Sequence, residues 1–186
     1  MPAVIERVEE RLLSADEFMA LPMDHVELVA GKVVQLMPPL FIHALCVRRV
    51  LDALGGWADR SGCGFVSTEA SFRLSRNPDV VRAPDVFLVT REQLEGQDFD
   101  SYIEGAPLVA VEIKSKNETL DSLLDKAAEY LQAGSAQVWI VQPGRRRVLV
   151  LYQDDSEISY RVGETIPGGE ALPGFELPVA EVFRSL

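Results

Sequence analysis

The chain has 186 residues, 47% of them hydrophobic and 25% charged, a balance that suits one globular domain with a sizeable core and excludes a disordered polymer. Its formal net charge of −11 argues against a tight, non-specific nucleic-acid binder. No apolar run approaches the roughly 18 residues of a membrane span, and the two isolated cysteines, Cys46 and Cys63, lack metal-ligand spacing and read as reduced thiols of a cytoplasmic protein.

The acidity is unevenly spread. Residues 1–30 carry seven acids against two bases, and residues 153–186 carry the same, so the middle of the chain is close to neutral. The N-terminal MPAVIERVEERLLSADEF places acids where a secretory signal needs cations and a long apolar stretch. Residues 1–22 form a lead-in with a short helix, because Ser14 followed by Glu17 is a capping-box pattern and Pro22 ends the run. Residues 25–29 and 32–36 flank Ala30-Gly31 as a β-hairpin. After Pro38-Pro39, helical spacing of Ile42, Leu45, Cys46, Val50, Leu54 and Trp57 predicts a helix over 40–60, weakened by Gly55-Gly56. Short strands follow at 64–67 and 70–74, and a turn at Asn77-Pro78-Asp79 leads back into Asp85.

The stretch 91–105 is polar and turn-rich, a short helix with a surface loop. A strand over 107–115 precedes a second helix over 119–132, capped by Asn117 or Thr119 and closed by Gly134. Leu120, Leu123, Leu124, Ala127, Ala128 and Leu131 form its apolar stripe, with Lys126 and Tyr130 read onto the opposite flank. Strands at 136–141 and 147–152 are joined by Pro143-Gly144-Arg145-Arg146, a shorter strand is expected at 158–162, and 165–186 reads as an extended tail docked by Leu172, Phe175 and Leu177. The expected fold is therefore α/β (α+β), a single domain over 1–186 with a mixed central β-sheet flanked by helices and an N-terminal β-hairpin.

Two short apolar runs, RAPDVFLV and PLVAVEIKSK, each deliver an acid: Asp85 and Glu112. Strand alternation points Glu112 and Lys114 one way and Val111 and Ile113 the other. A carboxylate within an otherwise buried strand is costly unless something pairs with it or uses it. If Asp85 lies on a neighbouring strand, two carboxylates and a lysine converge, a donor set suited to Mg²⁺.

Pro84-Asp85 followed after 27 positions by Glu112-Ile113-Lys114 resembles the signature of the PD-(D/E)XK nucleases. The run 27–152 is similar, segment by segment, to the Uma-two restriction endonuclease family, and LPGFELPVAEVF continues the likeness more faintly. The resemblance implies a restriction-endonuclease-like core and a metal-dependent endonuclease hydrolysing DNA phosphodiesters. It implies Mg²⁺, with Mn²⁺ able to substitute, on Asp85, Glu112 and the Ile113 carbonyl, and Lys114 orienting the attacking water or stabilising charge on phosphate. Glu27, His43, Lys126 and Tyr130 match further family positions: Glu27 and His43 could hold an outer water or the substrate, and Lys126 could take over from Lys114. The family usually has aspartate where Gln142 stands. Arg48-Arg49 and Arg145-Arg146-Arg147 could position backbone phosphates.

Each of these residues also has a structural reading: Asp85 as a turn residue, Glu112 and Lys114 as a mutually neutralising pair, the arginines as solvent-facing charge. Two other functions stay open. One is a non-catalytic binding or scaffolding module that keeps the nuclease fold, as a homodimer through an edge strand or an apolar face. The other is a metal-dependent hydrolase of a substrate other than DNA. As a nuclease, the protein is expected to hold DNA weakly and to have no membrane partner.

Overall fold

The capping box at Ser14 starts the first helix. Ser14 Oγ accepts from the Glu17 amide at 3.2 Å, and Glu17 reaches back to the Ser14 amide at 3.0 Å, opening α1 (Ala15–Met19). The structure, a computed structural model, describes residues 11–23 and 25–184. The lead-in is therefore described only from residue 11, and its first ten residues lie outside the described part.

The hairpin forms with strands β1 (Val26–Val29) and β2 (Lys32–Gln35), and α2 (Phe41–Ser61) follows it. Gly62, at φ 68°, closes α2 in the left-handed conformation that glycine adopts without steric cost. Next come β3 (Gly64–Ser67), β4 (Phe72–Ser75), β5 (Val80–Arg82) and β6 (Val86–Thr90). A 3₁₀ turn at Glu92–Leu94 and the two-residue β7 (Ile103–Glu104) occupy the polar stretch. The chain continues through β8 (Val109–Ile113), α3 (Leu120–Gln132), β9 (Gln137–Gln142), β10 (Arg147–Tyr152) and β11 (Glu157–Arg161). It closes with β12 (Thr165–Pro167), β13 (Glu176–Pro178) and α4 (Val179–Val182).

The strands make two large sheets. A mixed six-stranded sheet runs β11-β10-β9-β8-β6-β3, with β8 and β9 parallel and the other pairs antiparallel. The hairpin does not stand alone, because β1 pairs with β5 in a five-stranded sheet of order β2-β1-β5-β4-β7. The chain leaves one sheet at Arg82 and enters the other at Val86. Only Ala83, Pro84 and Asp85 lie between.

The central strand β8 is buried along its whole length, as the near-continuous apolar run of Val109–Ile113 demands. Val109, Val111 and Ile113 face α2 and pack with Val50, Leu54 and Trp57. Ala110 faces α3, beside Leu123, Ala127 and Tyr130. Tyr130 thus belongs to the buried stripe of α3, not to the opposite flank. Leu120, Leu124 and Leu131 are only partly buried, so the inward face is rotated from where the leucines alone place it.

The tail docks through Leu172, Phe175 and Leu177 as expected, but it is not simply extended. β12 and β13 pair antiparallel, and α4 buries Val179 and Val182 against the α2 side of the core. The turn between the strands is tight. A Cβ on Gly168 would lie 2.0 Å from the Leu172 carbonyl oxygen, so only glycine fits there. Both cysteines are free, Cys46 buried in α2 and Cys63 half-buried after it. No described helix is long and apolar enough to cross a membrane.

Candidate active site

Register brings the two sequence-predicted acids together. β6 pairs with β8 at Val86↔Val111, so one step further places Asp85 opposite Glu112. Asp85 Oδ2 accepts a 2.6 Å hydrogen bond from the Ile113 amide and lies 3.0 Å from His43 Nε2, near the start of α2. The short joint between the sheets and the first turn of α2 therefore fix this carboxylate from two sides.

Glu112 interrupts the apolar face of β8 and points toward α3. Its side chain is 5% exposed. Oε1 accepts a 3.0 Å bond from the Tyr130 hydroxyl, and Oε2 lies 3.7 Å from Lys126 Nζ. Lys126 and Tyr130 sit four residues apart on α3, and that spacing aims both at one carboxylate. Lys126 Nζ also lies 3.2 Å from Glu27 Oε2. Glu27, almost fully buried on β1, takes a 2.8 Å bond from Arg82 Nη1, and Arg82 Nε donates to Glu129 Oε2 at 2.7 Å. Three acids and two cations form a continuous chain of contacts joining both sheets to α3.

Burial and charge oppose each other along it. Burial pushes the Glu112 carboxyl up to about 8, Lys126 pulls it down, and Asp85 and Glu27 push it further up. Burial disfavours the Lys126 charge, but Glu112 and Glu27 outweigh it and hold the ammonium up to about 12. Arg82 follows the same pattern: burial is overcome by Glu129 and Glu27. Tyr130 is driven well above its usual value by burial and then by Glu112, so it remains a neutral donor. His43 is disfavoured as a cation by burial, yet its bond to Asp85 raises it.

These groups lie at the base of an open cleft of about 1490 Å³, lined by Glu27, His43, Arg82, Asp85, Glu112 and Lys126 among others. Five of the six predicted site residues are brought together there. The sixth, Lys114, is not a lining residue. The strand ends at Ile113, alternation lapses, and the Lys114 ammonium turns to the carbonyls of Ser115, at 3.0 Å, and Glu118. Ile113 itself lines the cleft and engages Asp85 through its amide.

Arg82 and Glu129 were missed by the sequence reading. A signal existed: Arg82 breaks the apolar run of Val80-Val81 much as Glu112 breaks that of β8. Four of the five proposed phosphate-positioning arginines make other contacts, and the fifth, Arg145, is exposed and does not line the cleft. Arg48 lines the cleft but is bound to Asp52, and Arg49 donates to the Val182 carbonyl. Arg146 donates to the Phe183 carbonyl and Arg147 to Gln142 Oε1, and neither lines the cleft. Gln142 is buried, and its Nε2 has no partner among the described residues.

Among the described residues no group of three His, Cys, Asp or Glu side chains is arranged to hold a metal ion. Two carboxylates do converge, and Mg²⁺ characteristically takes one or two carboxylates and fills its remaining positions with water. Glu112 bears unfavourable charge from Asp85 and Glu27 in a buried setting, which a divalent cation offsets. The donor set fits such an ion through Asp85 and Glu112.

The model of the Uma2 family, described as "Putative restriction endonuclease", matches residues 15–180. The fold is similar to a crystal structure from Anabaena variabilis titled "a putative nuclease belonging to DUF820". The TM-score is 0.80 at 17% identity, covering 92% of this chain and 97% of that one. The fold is thus restriction-endonuclease-like. No curated protein matches the chain.

Proposed function

Because the chain belongs to the Uma2 family, we propose that its cleft hydrolyses DNA phosphodiesters with the help of a divalent cation held by Asp85 and Glu112. The carrying observation is the pairing of Asp85, fixed on the Ile113 amide, with the buried Glu112 of the adjacent strand. Asp85 and Glu112 would hold Mg²⁺, or Mn²⁺ in its place, which would supply positive charge against the phosphate and acidify a water.

The chain's own residues do the rest. His43 holds Asp85 by its ring nitrogen, and Tyr130 holds Glu112 by its hydroxyl. Lys126, kept cationic between Glu27 and Glu112, acts as a fixed positive charge for the developing phosphate charge, not as a base. Glu27 is engaged by Arg82 and Lys126, so its role is to position Lys126. Lys126 thus takes the part that the family motif gives to Lys114.

The test is hydrolysis of labelled single-stranded, duplex and branched DNA and of RNA, in Mg²⁺ and in EDTA, by wild type and Asp85→Asn. Metal-dependent cleavage of DNA that Asp85→Asn lacks supports the reading. Cleavage that survives EDTA or the substitution overturns it, and cleavage confined to RNA overturns the choice of substrate.

A further inference from the structure

The mouth of the cleft is chemically unlike its base. Met19, Met23 and Met37, with Val34, line it and are 40–68% exposed. Leu40, Phe41 and Ile42 continue the apolar surface in sequence onto the start of α2, Phe41 being 79% exposed. An apolar surface gathered at one place on a folded chain marks an interaction site. Methionine, unbranched and polarisable, packs adaptably against varied partners.

Charge decides what that partner is. Glu69 and Asp125 line the same cleft, both exposed, and neither forms a salt bridge with any described residue. The strong cations of the cleft lie away from its mouth or beside an acid: Arg82 and Lys126 are buried in ion pairs at the base, and Arg48 is paired with Asp52. A DNA strand entering for hydrolysis would be gripped at the base, and at the mouth it meets exposed acids, so the apolar mouth itself suits a different partner. A second copy of the chain, also carrying −11, would bring like charge to it. An amphipathic segment with one apolar and one basic face matches both features.

We propose that the methionine-rich mouth docks a basic amphipathic helix of a protein partner, laid with its apolar face on Met19, Met23, Val34 and Met37 and its cations toward Glu69 and Asp125. This is a helix-in-groove mode of recognition. It does not rest on hydrolysis, since the docking groups are separate from the buried carboxylates.

The experiment uses fluorescence anisotropy in EDTA with a labelled Leu/Lys amphipathic helix of about five turns. A scrambled peptide of the same composition, a Leu/Glu amphipathic helix and an oligothymidine serve as comparisons. The Leu/Lys helix is expected to bind at least about tenfold more tightly than each of the others. Met23→Asp and Met37→Asp, at exposed positions that leave the core intact, are expected to weaken it by about tenfold or more. Glu69→Lys with Asp125→Lys weakens it too, and Phe99→Ser, at an exposed apolar site outside the cleft, leaves it unchanged. Equal binding of the scrambled peptide, tighter binding of the oligothymidine, or indifference to both methionine substitutions overturns the proposal. So does self-association of the wild type that Met37→Asp abolishes. Because the measurement is made in EDTA, a protein that fails to hydrolyse DNA still tests it.

Discussion

The two faces of β8 differ as much as any two regions of this molecule. On the α2 side, Val109, Val111 and Ile113 pack into an apolar core that takes in the docked tail. On the α3 side, two residues along, the same strand presents Glu112 to a lysine, a tyrosine and, through them, a second sheet. One face derives its stability from removing hydrocarbon from water. The other spends some of it, because a buried carboxylate is costly unless paired and used. The strand is held firmly on one side so that the other can carry a charge that a merely structural core would exclude.

That contrast can be broken from the α2 side first. Trp139, fully buried on that face against Phe175, is expected to cost about 3–5 kcal/mol on change to alanine. Calorimetric titration of the still-folded variant with Mn²⁺ should find binding unaltered. A change on the α3 side should do the reverse. Lys126→Ala is expected to lower turnover by about 10²–10³-fold, whereas Lys114→Ala, which removes only contacts to two carbonyls, should leave turnover near wild type in a steady-state assay. If Lys114→Ala abolishes turnover and Lys126→Ala does not, the two lysines have been assigned the wrong way round.

The other expectations are finer. Tyr130→Phe removes one hydrogen bond to Glu112 and is expected to cost about 1–3 kcal/mol in urea unfolding in EDTA. The last expectation concerns pH. The folded Glu112 carboxyl lies at about 8, above its ordinary 4.5, so the native state binds its proton more tightly than the unfolded chain. That contribution is fully present below pH 4.5 and is lost as pH rises through 8. With metal chelated, this group alone should make stability fall by at most about 1.4 kcal/mol per pH unit across that window. Glu112→Gln should flatten the fall, and melts at several pH values would reveal it.

Much of this was legible in the sequence, for identifiable reasons. Asp85 and Glu112 announced themselves because each is an acid against an apolar run, and strand alternation assigned the faces of β8 correctly. Helix α3 was found by its leucines, but its inward face was misjudged. Three of those leucines are only partly buried, while Tyr130 is buried by virtue of a partner on β8 that helical periodicity does not encode. Lys114 lies away from the cleft lining for a local reason: alternation holds only while the strand lasts, and β8 ends one residue earlier. The Glu27–Arg82–Glu129 contacts join residues 55 and 47 positions apart, across a strand pairing, β1 with β5, that the hairpin reading did not supply. The tail's docking residues were visible as apolar positions, but its strand pairing depends on a turn only Gly168 permits.

The two thiols give the molecule a built-in handle. Cys46 has no exposed surface, and burial pushes its thiol up to about 11. At neutral pH it is therefore protonated as well as shielded, and an alkylating reagent needs the thiolate. Cys63 is half-buried just beyond α2 and does not line the cleft. A maleimide dye added to the native wild-type protein should therefore label one position only. Cys46 would become reactive only when the core around α2 opens, so the slow appearance of a second adduct would act as a clock for unfolding.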